Sequence, residues 1–398
     1  MSDVSFGERN KIHICVVSPG YPYKQHPQYE FVAQLCRALA DAGHRITVIA
    51  PQSLSKSFVR GVSLAPRFRT ERTKNGNEIT IYSPGFISVG NLPFIGNRIN
   101  LSSFSSAVKR IFRKLPQAPD ICYGHFWHTA YAAYPIASSA GIPLFVASGE
   151  AEVELHKYIK SNKLHPFSEY VRGIICVSTK NLHESIDAGL TTAEKCTVIP
   201  NAIDDTLFYK KDKSDLRSSF GFADSDFIVA FVGGFIHRKG SRRVSEAITM
   251  LDDPQIKSIF IGSEQDSDRC EPECRGILFK GKLPHCSIPD YLNCADVFVM
   301  PTLHEGCCNA VIEAMACGLP IISSDRPFNH DILDSSCAIL IDPMNVRDIA
   351  DAIRQLKNDP RRRQRLCENA LKRASGLTIG KRAEKIIEFI SCKMNGRV

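Results

Sequence analysis

No stretch of this chain offers the roughly 18 uninterrupted apolar residues that a membrane span requires. The opening residues, MSDVSFGERNK, carry acids in place of the apolar core of a secretion signal. We therefore expect the protein to stay in the cytoplasm. No G-x-G-x-x-G follows a strand-like run, so a nicotinamide or flavin dinucleotide fits poorly, and no G-x-x-x-x-G-K-[ST] cradle for an NTP occurs. Extreme composition is absent too: 43% hydrophobic and 23% charged residues are ordinary for a folded soluble chain and exclude wholesale disorder. The fifteen cysteines are odd in number, and many sit in apolar runs (Cys15, Cys176, Cys317). They read as reduced packing residues rather than a disulfide framework.

What is present is enough for two domains, since 398 residues exceed one ordinary core. The net charge of +8 is uneven: residues 1–200 carry 22 Lys+Arg against 14 Asp+Glu, and residues 201–398 carry 28 against 28. An anionic partner for the N-terminal half and a merely basic solvated surface explain this equally well.

Strands and helices alternate along the chain. KIHICVVSP, then a helical run with Phe31, Leu35, Leu39 and Ala42 on one face, then RITVIAP predict a β-α-β unit and a parallel sheet. The pattern recurs in DICYGH, IPLFVAS, GIICVS and KCTVIP, and again in DFIVAFVGG, SIFIGS, GILFKG, DVFVMP, LPIISS and AILID. Two doubly wound α/β domains follow, residues 1–200 and 201–379, with a last helix of about 380–398 expected to pack back on the first. The break falls near Pro200 to Asp215, which lacks sustained periodicity.

Open parallel sheets bind ligands beyond the carboxyl ends of their strands. Candidates by that rule are Pro19-Gly20-Tyr21, Gly124-His125, Ser148-Gly149-Glu150, Gly233 to Gly240, Gly262 to Glu264 and Leu303 to Asn309. The run HEGCCNAVIEAMACGLPIISSD concentrates the chemistry. Glu305 is expected in the exit loop and Glu313 in the second turn of the next helix, leaning back toward its N-terminus. The amides near Cys308 and Asn309 would form an anion site, and two carboxylates suit sugar hydroxyls. The plain alternative is a capping Glu305 and a snorkelling Glu313.

The same residues resemble the signature of family-4 retaining glycosyltransferases, which carry two such glutamates in an EG..N.V.EAMA.G.P frame. VIPNAIDDTLF, FVGGFIHRKG, IPDYLNCADVFVMPTLHEG and LADAGHRITVIAP are similar to further segments of that family. The resemblance is strongest from Val198 to Pro343 and weakens over Gln52 to Leu115. It implies a GT-B architecture of two Rossmann-like domains facing a cleft, with the donor held mainly by the second and the acceptor by the first. The reaction it implies is retaining transfer of a sugar from a nucleotide diphosphate, UDP-sugar first among them, to a saccharide or lipid-linked acceptor in polysaccharide synthesis. A nucleic acid is not among the implied partners. Carried over, Glu313 would bind the ribose, Glu305 the donor sugar and Lys239 the diphosphate, with Gly20, Gly234, Cys308 and Asn309 lining the donor site.

Three positions depart from the pattern. Gly234 stands where many members have Arg, and Arg238 is the nearest replacement cation. Ser148 stands where a His is usual, with Glu150 two residues on to take over its contact. The paired glycines of the first loop are missing. A 2-epimerase on the same architecture and a catalytically silent nucleotide-sugar-binding subunit are the alternatives. No cofactor and no metal are expected. Asp224-Ser225-Asp226 and Asp266-Ser267-Asp268 read as solvated turns, and Cys270, Cys274, Cys286 and Cys294 match no common zinc spacing. His125 and His128 are candidates for acceptor contact or for core packing. RRRQR (Arg361 to Arg365) reads as an exposed helical face. Arg98 to Leu115 reads as a basic amphipathic helix, either lying on an anionic membrane or packing on the sheet.

Overall fold

The computed structural model describes residues 11–23, 29–61, 63–89, 95–264 and 268–395. They form two units. One comprises the chain up to Val177, Asn181–Ile199 and the chain from Ala383; the other comprises Ser178–Lys180 and Pro200–Arg382.

The first unit is built on β1 (His13–Val17), β2 (Arg45–Ile49), β3 (Phe68–Arg72), β4 (Glu78–Tyr82), β5 (Ile121–His125), β6 (Leu144–Ser148), β7 (Val171–Cys176) and β8 (Cys196–Val198). They lie in the order β8-β7-β6-β5-β1-β2-β4-β3. All pairs are parallel except β3 with β4. The central strands β1, β5 and β6 are buried at every position, as strands covered on both faces must be. Helices α1 (Glu30–Asp41), α2 (Ile95–Phe112) and α3 (Trp127–Ser139) cover the sheet. Helix α1 does so through Val32, Leu35, Cys36 and Leu39 at 3.6-residue spacing. The start of α3 lies so close to β5 that a Cβ on Gly124 would stand 2.4 Å from the Cα of Ala130. Glycine is required there by contact rather than by backbone angle.

Helix α2 decides between the two readings of the basic segment. Phe104, Val108 and Phe112 are buried in the core, and Leu101, Ile111 and Leu115 pack against it. The apolar side that could have met lipid is used internally, because the sheet lies beneath it. Arg98, Lys109 and Arg110 face outward from the helix, followed by exposed Arg113 and Lys114.

The second unit carries β9 (Phe227–Val232), β10 (Ile256–Ile261), β11 (Ile277–Gly281), β12 (Val297–Met300), β13 (Ile321–Ser324) and β14 (Ala338–Ile341). All are parallel, in the order β11-β10-β9-β12-β13-β14. Helices α4 (Ser241–Leu251) and α5 (Asn309–Ala316) follow β9 and β12. The strand order reverses between β9 and β12, and in the first unit between β1 and β5. Ligands of doubly wound sheets bind outside the carboxyl ends of strands at such a reversal. Helix α6 (Ile379–Met394) closes the chain; from Ala383 it packs on the first unit, where Phe389 comes close enough to Gly173 that a Cβ would lie 2.8 Å from its ring. Between α5 and α6, RRRQR lies in the helix Pro360–Ala374, started by Asp359, whose side chain accepts from the Arg362 amide.

Candidate functional site

Strand β9 leaves the second sheet through Gly233-Gly234-Phe235-Ile236-His237-Arg238-Lys239-Gly240, and β12 leaves it through Pro301 to Cys308. The two exits are laced together. Buried Arg243, on α4, donates to the carbonyls of His237 and Pro301, both at 2.9 Å, and the Leu303 amide donates to the Arg238 carbonyl at 2.9 Å. Gly240 has φ +82°, and a Cβ there would stand 2.7 Å from Arg243 Nη2 and 2.8 Å from the Pro301 carbonyl oxygen. No side chain fits that turn without moving the lacing arginine.

Glu305 sits where the exits meet, its side chain 12% exposed. Lys239 Nζ lies 2.5 Å and Arg238 Nη1 2.8 Å from Glu305 Oε1, and the Thr302 hydroxyl donates to the same oxygen at 2.8 Å. Arg238 also donates to the His304 carbonyl. Burial pushes the Glu305 carboxyl up, but Lys239 and then Arg238 outweigh it and hold the group below the usual carboxylate range. Two cations against one ionised carboxylate leave this cluster with one uncompensated positive charge.

Helix α5 begins at Cys308, which makes no side-chain capping bond. Its buried thiol is pushed up to about 11 by burial, and it feels the charges of Lys239, Glu305 and Glu313. Glu313 Oε1 lies 3.0 Å from His285 Nε2, whose ring packs on Phe208 with centroids 5.1 Å apart. Asn309 Oδ1 accepts from Asn201 Nδ2 at 2.8 Å. The structure thus brings Arg238, Lys239 and Glu305 into contact, with Cys308 between them and Glu313. Gly234 lies at the start of the loop, where its carbonyl accepts from the Ile236 amide at 2.9 Å. Gly20 belongs to the first unit, after β1, and its carbonyl accepts from Ser18 Oγ at 2.7 Å.

Sequence reasoning did not single out Arg243, Thr302, Asn201 or His285. Thr302, Asn201 and His285 had an available signal, since they follow the ends of β12, β8 and β11 and strand exits were the places to look; Arg243, inside α4, had none.

In the first unit Glu150 follows β6. Its Oε1 accepts from the Trp127 amide at 2.6 Å and its Oε2 from the Gly149 amide at 2.9 Å and the Ser148 hydroxyl at 3.2 Å. It therefore caps the first turn of α3, and Asn181 Nδ2 fixes its carbonyl at 2.8 Å. The residue keeps some exposed surface, yet its carboxyl is enclosed, and burial pushes it up to about 7 against the three hydrogen bonds to its oxygens, which favour the charged form. Phe126, just before α3, has φ +89°, a strained angle for a residue with a side chain. His125 is buried within the ring cluster of Phe31, Tyr123 and Phe126, and burial lowers His128 to about 4. Tyr29, Lys56, His128 and Tyr158 share a cavity of about 270 Å³ with Pro19 at the exit of β1.

Among the described residues, no group of three or more His, Cys, Asp or Glu side chains is placed to hold a metal ion. The carbonyls of Asp224 and Asp226 accept from Arg217 Nη1 in a turn before β9, away from the strand exits. Asp266 and Ser267 lie outside the described residues. Asp268 is not the free turn expected of it, because it accepts from the His237 amide of the cationic loop at 3.0 Å.

The family described as Glycosyltransferase Family 4 matches residues 30–207, and that described as Glycosyl transferases group 1 matches residues 212–373. This chain belongs to the group 1/family 4 glycosyltransferases. The glycosyltransferase is 25% identical, over 85% of its own length and 87% of the relative's, to the putative teichuronic acid biosynthesis glycosyltransferase TuaC of Bacillus subtilis (strain 168). Its fold is that of GT-B enzymes. It matches the sucrose-phosphate synthase of Thermosynechococcus elongatus at 19% identity, covering 97% of this chain and 100% of that one, with a TM-score of 0.76. It likewise matches Anabaena HepE in complex with UDP at 17% identity, covering 96% and 100%, with a TM-score of 0.71.

The enclosure of Glu150 gives a pH signature. Its folded pKa of about 7 exceeds the unfolded carboxylate value, so the folded state holds a proton that the unfolded state has lost. This contribution is fully present below about pH 4, declines as pH rises, and is gone above about pH 7. Urea unfolding midpoints followed from pH 4 to 8 should fall on this account, and Glu150→Gln should flatten that part of the curve. An unchanged pH profile in the variant would place the proton elsewhere.

Proposed function

We propose that this glycosyltransferase moves a sugar from a nucleoside diphosphate donor, a UDP-sugar, to a saccharide or lipid-linked saccharide acceptor. We assign it to polysaccharide synthesis, with retention of anomeric configuration and with neither metal nor cofactor beyond the donor. The carrying observation is the Glu305–Lys239–Arg238 cluster beside the start of α5. Breaking the bond from the anomeric carbon to the diphosphate oxygen builds positive charge on the sugar and negative charge on the leaving group. Two cations and helix-terminal amides, held in place before the reaction, stabilise the latter by several kcal/mol. An ionised Glu305 beside the donor sugar suits the former. Glu313, oriented by His285, suits the hydroxyls of a ribose. The likeness to TuaC and to HepE in complex with UDP supports a polysaccharide product and a uridine donor. Retention rests on the signature frame around Glu305 and Glu313. Metal independence rests on the cations, which supply the charge that a divalent ion would otherwise bring.

We further propose a cytoplasmic protein that touches the anionic inner face of the membrane. Helix α2 cannot offer its apolar side, but Phe58 and Val59 on the short helix Leu54–Arg60 are 93% and 79% exposed. Residues 79–119 carry five Lys+Arg and no Asp or Glu. Apolar side chains beside a basic tract suit an anionic bilayer.

Calorimetry with UDP and turnover of a UDP-sugar panel test the donor site. Glu313→Ala should weaken UDP binding by about 10-fold or more, the cost of one or two hydrogen bonds to a charged group. Glu305→Ala removes neither cation, so UDP affinity should hold while turnover falls by ~10²-fold. Arg238→Ala should lower turnover by a similar ~10²-fold. Equal loss of UDP affinity in both glutamate variants would overturn the assignment.

Excess chelator should leave activity intact, and proton NMR of the first-formed product should show the donor's anomeric configuration. Activity lost in chelator and restored by manganese, or an inverted product, would refute that part of the proposal.

Vesicles of phosphatidylglycerol should sediment the protein, less so at high salt. Phe58→Ser with Val59→Ser should reduce the bound fraction by about 10-fold. Binding unchanged by both salt and substitution would exclude this surface.

A further inference from the structure

A second concavity of about 720 Å³ lies in the first unit between α2, α3 and the residues that open the helix Ser161–Tyr170. Arg98 and Lys109 stand on one wall and Lys160 and Lys163 on another, Tyr131 and Asn162 also line it, and among the described residues no carboxylate does. Among the described residues none of these four cations forms an ion pair. Lys157, three residues before Lys160, shows the contrast, since it pairs with Glu154 at 2.9 Å. Like charges gathered in a concave surface repel one another and raise the local potential, which favours binding of an anion between them. The groove also adjoins the 270 Å³ cavity of His128, Tyr29 and Tyr158. Leu101 lines both, and Tyr158 and Ile159, consecutive in the chain, line one each.

We propose that this groove binds a phosphate or diphosphate carried by the acceptor, while the acceptor's sugar occupies the adjoining cavity. The inference rests on the transferase reading above and narrows it to a phosphate-bearing acceptor. Aromatic rings at Tyr29 and Tyr158 suit a sugar face. Four unpaired cations in one groove match a group that concentrates two or more negative charges at one end. A uronate chain, which spreads one charge per sugar along its length, matches them less well. Lysine and arginine donors with Asn and Tyr hydrogen bonds between them suit phosphate oxygens.

Calorimetry on the full chain with inorganic pyrophosphate should resolve two binding events, one at the Lys239 cluster and one in the groove. Lys160→Glu with Lys163→Glu should weaken the second by about 10-fold or more, and so should Arg98→Glu with Lys109→Glu from the opposite wall. Lys239→Ala should remove only the first, and Lys157→Glu should remove neither. The two readings therefore fail separately, because an unaltered first event in Lys239→Ala counts against the donor site alone. Vesicles doped with undecaprenyl diphosphate, compared with phosphatidylglycerol vesicles of equal charge, separate the sources of the phosphate. Extra sedimentation lost in the groove variants assigns a lipid-linked acceptor, whereas pyrophosphate binding without it assigns a soluble sugar phosphate. Identical isotherms in the parent and both groove variants, or tighter groove binding of trigalacturonate than of pyrophosphate, would overturn the proposal.

Discussion

The second unit depends on one carboxylate. Glu305 is nearly enclosed, and an ionised group in that position is tolerable only because Lys239 and Arg238 reach it. Removing a partner from a buried pair typically costs about 3–5 kcal/mol, far more than the pair itself contributes over apolar packing. The cluster therefore fixes where the two strand exits stand relative to each other. Arg243 repeats the constraint through carbonyls, bridging His237 and Pro301 beneath the same turn. Two cations are in this way held at a strand-order reversal before any ligand arrives, which lowers the reorganisation needed when negative charge develops.

The first unit solves a related problem with a different sign. Among the described residues no cation pairs with enclosed Glu150; three donors from the chain around it and the first turn of α3 stand in for one. Hydrogen bonds and the helix terminus favour the carboxylate, burial opposes it, and burial wins by enough to place the group near neutrality. Burial thus holds the carboxyl at the end of β6 toward its protonated form, whereas its cations hold Glu305 toward the ionised form. The two glutamates share a residue type and a strand-exit position. Their partners alone separate their chemistry.

Much of this was legible in the sequence, for definite reasons. Fully apolar runs such as FIVAFV and HICVV announce parallel strands, and the rule that ligands lie past strand ends then selects Gly233 to Gly240, Leu303 to Asn309 and Glu150 without further help. What was hidden depended on contacts between distant segments. Arg243 matters through two carbonyls, and Thr302 matters only because Glu305 folds back onto it. Neither contact has a periodicity. Helix α2 was ambiguous for a different reason: its apolar spacing is real, but the same spacing serves a helix on a sheet and a helix on a bilayer. Only Phe104, Val108 and Phe112 lying in the core distinguishes the two.

The charge asymmetry of the chain acquires a physical meaning from that distinction. Once the apolar side of α2 is committed to the sheet, its basic residues do not rim an apolar stripe of their own helix, and their charge has to be accounted for where it stands. Arg98 and Lys109 turn toward Lys160 and Lys163 across a groove, while Arg110 donates to the Gly85 carbonyl at 3.0 Å. The excess positive charge of residues 1–200 is thus partly gathered into a concavity beside a sugar-sized cavity. Each unit then presents a cluster of cations, the second at the carboxyl ends of its strands and the first between helices on the face of its sheet. In the second the cations are bound to a carboxylate that sets their position; in the first they are left unpaired, which makes them the more responsive to a ligand's charge and to salt.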